Sequence, residues 1–280
     1  MKVPATMHPG IHIEGYRYGA PRGQIPWSFF GPQYAQIYDL LMADVPYESW
    51  VDYLLDVARL HSDRPATIID LACGTGTFAL FAAQCGLSVY GIEGSQAMME
   101  IFRRKAAASP YGESCTVSRS QLPKLPKLTF RFDAAVCFFD SLNYLVSPRA
   151  VANTIAGVSS LLRSGGVFVF DVNTDQAYRS GAFQAPPEIR LHDGTALHVS
   201  AECRYDDTSG RSLLELEFLD VATDTVCVRE RHEQQFYPTE RLAAWLKEAG
   251  FVLAACYRGF TLESASESDD RWTFIAVKVA

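Results

Sequence analysis

Residues 66–78 read ATIIDLACGTGTF, and the fold hinges on how that stretch is understood. Ile68 and Ile69 belong to a short apolar, β-branched run of the kind found in a parallel strand buried on both faces. The run stops at Asp70-Leu71-Ala72-Cys73-Gly74-Thr75-Gly76. Two glycines one residue apart permit a tight turn and a close approach of backbone to a ligand, where a side chain would intrude. Phe78, Ala79, Leu80, Phe81 and Ala82 then read as a buried helix. A strand, a glycine turn and a helix start are the geometry that seats a nucleotide-like ligand at the carboxyl end of a parallel strand.

Three ligands suit such a turn. A phosphate-cradling loop needs Gly-Lys-Ser/Thr, and Gly76 is followed by Thr77-Phe78, so that reading fails. A dinucleotide fingerprint needs a third glycine where Ala79 stands and seldom has an acid ending the strand. The third ligand is S-adenosylmethionine (SAM), which carries no phosphate. Asp70-x-x-Cys73-Gly74-Thr75-Gly76 resembles motif I of the class I SAM-dependent methyltransferases in its acid, its spacing and both glycines. The resemblance implies that Ala72, Cys73, Gly74 and Gly76 lie against the methionine portion of SAM and that Asp70 holds its ammonium end. Taken alone, the motif is also explained by a glycine turn in an ordinary α/β unit.

The next apolar run, Leu87–Ile92, ends in Glu93, about twenty residues past the glycines, where a ribose-binding acid is expected. A carboxylate there can accept from both ribose hydroxyls in charge-assisted bonds. Gly94-Ser95-Gln96-Ala97-Met98-Met99 continues like the family's second motif, which implies Gly94 beside the cofactor and Met98 packed on the adenine. Arg103, Arg104 and Lys105 close the following helix and read as a solvated charged face at a helix carboxyl end. After the third strand, Ser114–Arg119, the family places an acid and an apolar residue against the adenine. Counting back from Phe132-Asp133, those positions hold Gln121 and Leu122, so the acid is absent. The Gln121 carbonyl can still accept from the exocyclic amine, with Ser118 or Ser120 as substitutes.

The totals set outer bounds. A chain of 280 residues supports one well-buried core and a sizeable insertion. No apolar run approaches the ~20 residues of a membrane span, and MKVPATMHPG lacks the apolar centre of a signal peptide. The seven cysteines are scattered and never spaced C-x-x-C, which favours the reducing cytoplasm without a disulfide frame or a metal site. A net charge of −7 argues against a nucleic-acid partner. The oligomeric state stays open, a homodimer included.

Residues 1–31 interleave Pro and Gly with aromatics and read either as an arm packed on the surface or as a lid over substrate. His8 and His12, in that arm, make an unconvincing metal pair. Two helices follow, with Tyr34, Ile37, Tyr38 and Leu41 on one face and Trp50, Tyr53, Leu54 and Val57 on another. Core packing is the simplest use for these rings. The segment also resembles the amino-terminal cap of small-molecule methyltransferases, including amino-sugar N-methyltransferases and glycine N-methyltransferase. That implies Tyr34 and Tyr38 near the sulfonium and Trp50 roofing the cofactor, where a cation over ring faces is stabilised.

Phe132–Leu145 reads as the fourth strand and its turn, and it resembles the same subgroup. The resemblance implies Phe138 against SAM, with Phe139, Asp140, Asn143 and Tyr144 facing the acceptor. Capping of the next helix is the other use for Asp140 and Asn143. A helix from Pro148 to Leu162 is expected to end at Gly165-Gly166. The fifth strand, Val167–Phe170, closes with Asp171-Val172-Asn173-Thr174 and puts Asn173 among the acceptor contacts. Residues 180–236 alternate apolar and polar with turn signals at Asp193-Gly194 and Thr208-Ser209-Gly210, which predicts an antiparallel meander. Glu230, His232, Gln234 and Phe236 share one face of its last strand. Thr239 is expected to cap a helix stopping at Gly250, and Val252–Tyr257 and Trp272–Val279 supply the last two strands.

The expected fold is α/β, a Rossmann-like seven-stranded class I methyltransferase sheet with an antiparallel β insertion. Its expected parts are an arm and helical cap (1–62), a SAM-binding core (63–179), an antiparallel substrate lid (180–236) and a carboxyl-terminal helix with the last two strands (237–280). The expected activity is methyl transfer from SAM to a small-molecule acceptor, favoured at nitrogen, with Tyr144 taking the proton, helped by Asp140 or His232. His232 also reads as an ordinary sheet residue. There is no Lys-Asp-Glu metal arrangement and no Asn-Pro-Pro-Tyr, against metal-dependent catechol chemistry and methylation of DNA bases. Two alternatives stand beside it, a methyltransferase for a tRNA wobble modification and a SAM-binding sensor or scaffold without turnover.

Overall fold

Runs of four to six apolar residues flanked by turn formers are too short for buried helices and pair as strands. The computed structural model describes residues 25–181, 187–191 and 193–279. His8, His12 and most of the expected arm therefore lie outside the described residues. Helices α1 (Pro32–Leu41) and α2 (Tyr47–His61) precede β1 (Thr67–Leu71), α3 (Thr77–Gln84), β2 (Ser88–Glu93), α4 (Gln96–Ala108) and β3 (Cys115–Arg119). Then come β4 (Phe132–Cys137), α5 (Pro148–Leu161), β5 (Leu162–Asn173) and α6 (Asp175–Ser180). The insertion holds β6 (Glu188–Arg190), β7 (Ala196–Asp206), β8 (Arg211–Asp220) and β9 (Thr225–Gln235). Helix α7 (Thr239–Glu248), β10 (Phe251–Arg258) and β11 (Arg271–Lys278) complete the chain.

Seven strands form one sheet in the order β10-β11-β5-β4-β1-β2-β3, with β11 antiparallel to both its neighbours. The strand order reverses between β1 and β4, so a crevice opens at their carboxyl ends. Alternate residues serve opposite faces. Ile68, Val167 and Val169 pack under α2 and α3, whereas Ile69, Phe168 and Phe170 pack under α5 and α7. Removing a buried ring such as Phe168 would cost about 3–5 kcal/mol.

The second sheet, β6-β7-β8-β9, is antiparallel. Its buried face carries Leu216 and Phe218 and, on β9, Val228, Glu230, His232 and Gln234. Helix α1 joins this sheet to the core, because Tyr34 and Ile37 pack with Met98 and Ile101 of α4 and with Phe218. Before α1, the strap 25–31 lies along the edge of β9. Ser28 donates its N–H to the Arg229 carbonyl at 3.1 Å and accepts from the Arg231 N–H at 2.9 Å. The Trp27 ring sits beside both guanidinium groups, 5.3 Å from Arg229 and 4.9 Å from Arg231. Among the described residues no helix is long and apolar enough to cross a membrane.

Four local expectations change. Helix α5 passes into β5 without a loop, and Gly165 and Gly166 lie inside the strand. A Cβ on Gly166 would come within 2.9 Å of the Arg163 carbonyl and 3.1 Å of the Asp133 carbonyl, so the pair marks close backbone packing rather than a helix end. Pro238, not Thr239, is the N-cap of α7, and Thr239 makes no capping hydrogen bond. Thr174 begins the short helix α6, its hydroxyl accepting from the Ala177 N–H at 3.1 Å. Lys105 leaves the charged face formed with Arg103 and Arg104 and turns inward. Its ammonium reaches Asp39 at 2.8 Å and Thr77 at 2.6 Å, tying α1 to the start of α3.

Candidate active site

Backbone conformation marks the site before any side chain does. Five described residues other than glycine have positive φ, and Phe30, Ala72, Phe139 and Asp140 among them line one cavity of about 700 Å³. Left-handed geometry costs such residues on the order of 1–3 kcal/mol each, and it concentrates where a site must be held in shape. The cavity lies over the carboxyl ends of β1, β2 and β4 and is closed by α1, the strap and the buried face of the second sheet.

At one end the main chain sets the shape. Glu93 ends β2 and accepts from the Gly74 N–H at 2.8 Å and the Ser95 N–H at 2.7 Å, so one carboxylate binds the loops after β1 and β2 together. Ser95 caps α4 and donates its hydroxyl to the Phe30 carbonyl at 2.7 Å. Gly94, Met98, Gln121 and Leu122 line this end with Glu93. Ala72 and Gly74 continue into a recess of about 50 Å³ whose walls include Tyr38, Trp50, Asp70, Cys73 and Phe138. Asp70 Oδ2 is buried with no hydrogen-bond partner. Burial, and then the neighbouring Glu93, push the Asp70 carboxyl above its ordinary range. Such a group asks for a cation.

The far end is made of side chains. Asp140 follows β4, and its carboxylate accepts from Gln234 Nε2 at 2.5 Å and Arg271 Nη2 at 3.1 Å. Arg271 also donates to Asp171, the residue opposite Thr273 in the β5–β11 pairing. Burial pushes the Asp140 carboxyl up to about 6, with Arg271 pulling it down and Asp171 pushing it further up. Asp140 is therefore wall, not a helix cap. Tyr144 Oη lies 3.3 Å from His232 Nδ1. Burial drives the Tyr144 phenol well above its usual range and the His232 imidazole down to about 4, so both are neutral near pH 7. Tyr34, Tyr38 and Phe139 complete this wall, and the Phe29 and Phe30 rings of the strap stand 5.6 Å from the Tyr144 ring.

Three expected site residues stand outside the walls. A Cβ on Gly76 (φ 76°) would lie 2.3 Å from the Phe102 ring, so this glycine serves the packing of the loop on α4. Asn143 is fully buried, its amide donating to the Gln235 carbonyl at 2.9 Å while its carbonyl accepts from the Asn173 N–H at 3.0 Å. Asn173 in turn donates to Gln234 Oε1 at 3.5 Å. Both asparagines brace the wall from behind instead of facing an acceptor. Conversely, Arg271, Gln234, Arg119 and Ser212 line the cavity without having been expected to, and Phe29, from the arm read as surface packing or as a lid, lines it too. The sequence signal for Arg271 is the pair of carboxylates at the ends of β4 and β5, which need a buried cation.

Comparison with known proteins agrees with this geometry. Residues 68–166 match the family model described as a methyltransferase domain. A putative methyltransferase of Geobacillus sp. (strain WCH70) is 29% identical over 253 residues, covering 88% of this chain and 98% of the relative. A dTDP-3-amino-3,6-dideoxy-α-D-glucopyranose N,N-dimethyltransferase of Streptomyces fradiae is 26% identical, covering 75% and 84%. The structure of the CcbJ methyltransferase from Streptomyces caelestis superposes with a TM-score of 0.74 at 20% identity, over 91% of this chain and all of that one. With the seven-stranded order, the glycine loop and the carboxylates at the ends of β1 and β2, these matches indicate a SAM-dependent methyltransferase with the class I fold.

Proposed function

We propose that the chain transfers the methyl group of SAM to an amine nitrogen of a small-molecule acceptor. The observation that carries this reading is the two-ended cavity, with a partnerless carboxylate oxygen of Asp70 beside one end and the Tyr144–His232 pair at the other. The residues present fit SAM. Asp70 Oδ2 would take the ammonium, Glu93 the ribose hydroxyls, and Met98, Gln121 and Leu122 the adenine. Tyr38, Trp50 and Phe138 would stand near the sulfonium as electron-rich rings. When bound, SAM supplies an electrophilic methyl group.

The chain's own residues then have three tasks. The wall holds the acceptor nitrogen in line, since orientation alone supplies much of such a rate. Phe29 and Phe30 keep water from the reacting centre. Tyr144, hydrogen-bonded to a neutral imidazole, accepts the proton the nitrogen sheds. The relative from Streptomyces fradiae is named for N,N-dimethylation of an amino sugar, which supports an amine as the acceptor. The test incubates the purified chain with methyl-labelled SAM and a panel of amino sugars and amino acids beside their hydroxyl analogues. Label is expected on the amines alone. Transfer to the hydroxyl analogues, or to tRNA in a parallel incubation, would refute the proposal.

A further inference from the structure

Glu230 is fully buried, yet it lies behind the cavity wall and neither end of the site uses it. Two residues before His232 on β9, it shares that residue's face. Its carboxylate accepts from three groups of the strap, the Ser28 hydroxyl and the N–H groups of Phe30 (2.6 Å) and Gly31 (3.0 Å). Its Oε2 is also 3.9 Å from His232 Nε2, a buried nitrogen with no hydrogen-bond partner. The titratable groups that face the imidazole are Glu230 on its own strand, Tyr144 from the turn after β4 and Tyr34 from α1. The strap adds only the rings of Phe29 and Phe30, 5.8 and 5.0 Å away.

This geometry favours one tautomer. With hydrogen on Nδ1, the Nε2 lone pair would point at a carboxylate oxygen. With hydrogen on Nε2, the N–H faces that oxygen and Nδ1 is free to accept from the Tyr144 hydroxyl. We propose that Glu230 is a positioning residue that makes the strap and the proton acceptor one unit. Ser28, Phe30 and Gly31 fix its carboxylate, and the carboxylate fixes His232 with Nδ1 turned to Tyr144. The inference rests on the reading of Tyr144 as proton acceptor. In the step it serves, the acceptor N–H bond breaks and its electron pair stays on nitrogen. Tyr144 Oη gains that proton and gives its own to His232 Nδ1. The imidazole becomes an imidazolium whose Nε2–H faces Glu230, and the carboxylate keeps its charge. With the strap lifted, Glu230 loses three donors and His232 loses its cover, so the relay is assembled only under a seated strap.

The test needs no acceptor. Histidine is labelled with ¹⁵N in the full chain, His232 is assigned by its loss in His232→Gln, and hydrogen exchange is followed at Phe30 and Gly31. Wild type is expected to show the Nε2–H tautomer. Glu230→Gln is expected to mix the two tautomers and to speed exchange at both amides about tenfold or more, the loss of a charge-assisted bond. An Nδ1–H tautomer in wild type, or an unchanged tautomer in Glu230→Gln, would overturn the proposal. Should that variant fail to fold, Ser28→Ala removes one strap bond and is expected to move both readouts the same way by less. Faster exchange without any tautomer change in Ser28→Ala would count against it. Full turnover in Tyr144→Phe would remove the proton-accepting role and leave the tautomer result standing, so the two failures can be told apart.

Discussion

At the glycine-loop end of the cavity the wall is largely main chain, with carboxylates that terminate β1 and β2. At the opposite end it is side chain, drawn from the strap, α1, the turn after β4, β9 and β11. Apart from recess walls that include Tyr38, Trp50 and Phe138, the first end is assembled within residues 70–122 and held by bonds such as Gly74 N–H to Glu93. The second depends on partners far apart in the chain, Asp140 with Gln234 and Arg271, and Ser28 with Glu230. A ligand common to a whole family is met by geometry that backbone can supply, whereas an acceptor particular to one enzyme is met by side chains that can be exchanged.

Substitutions should separate the two ends. The largest expected effect is in Tyr144→Phe, where loss of the proposed proton acceptor should lower kcat about 10²–10⁴-fold, as measured with methyl-labelled SAM and the best amine of the panel. Asp70→Asn should weaken SAM binding about 10–150-fold by calorimetry, the value of one charge-assisted contact. Asn143→Ala should lower stability by about 1–3 kcal/mol, read from the urea midpoint, by leaving the Asn173 N–H without its acceptor. Its affinity for SAM should not change, because Asn143 braces only the far wall.

The smallest expected effect is a pH slope. Asp140 titrates at about 6 in the fold, mainly through burial, against roughly 4 in an unfolded chain. A carboxyl that holds its proton more tightly when folded adds stability that is complete below about pH 4 and lost as pH rises through 6. Between pH 4 and 7 wild type should therefore lose stability relative to Asp140→Asn, as compared through urea midpoints. A gap independent of pH would mean that Asp140 is not held up by its surroundings.

The legible part of the molecule was the part written locally. The β1 run, the Gly74 turn and Glu93 about twenty residues on needed only period and spacing, and the seven-stranded sheet was what the resemblance they carry implied. Gly76 was quoted for the right motif, but its constraint comes from Phe102 across the packing of loop on α4. Asn143 and Asn173 sit in turn and strand-end positions where an amide can face either a ligand or the chain, and only the register of β9 behind them decides. Arg271 was legible only as a demand of Asp140 and Asp171 for some cation, and the strap only as one of two uses of an aromatic arm, because nothing near either in sequence announces the carboxylate it meets. Lys105 looked solvated beside Arg103 and Arg104 until α1 folded over it with Asp39.

On the proposed reading, SAM is held at one end of the cavity while the proton leaves at the other. Calorimetry of SAM binding to Tyr144→Phe, set beside Asp70→Asn, tests it most directly. Wild-type affinity within about twofold is expected for Tyr144→Phe, since the role proposed for the phenol is kinetic. A loss in Tyr144→Phe as large as that in Asp70→Asn would contradict it.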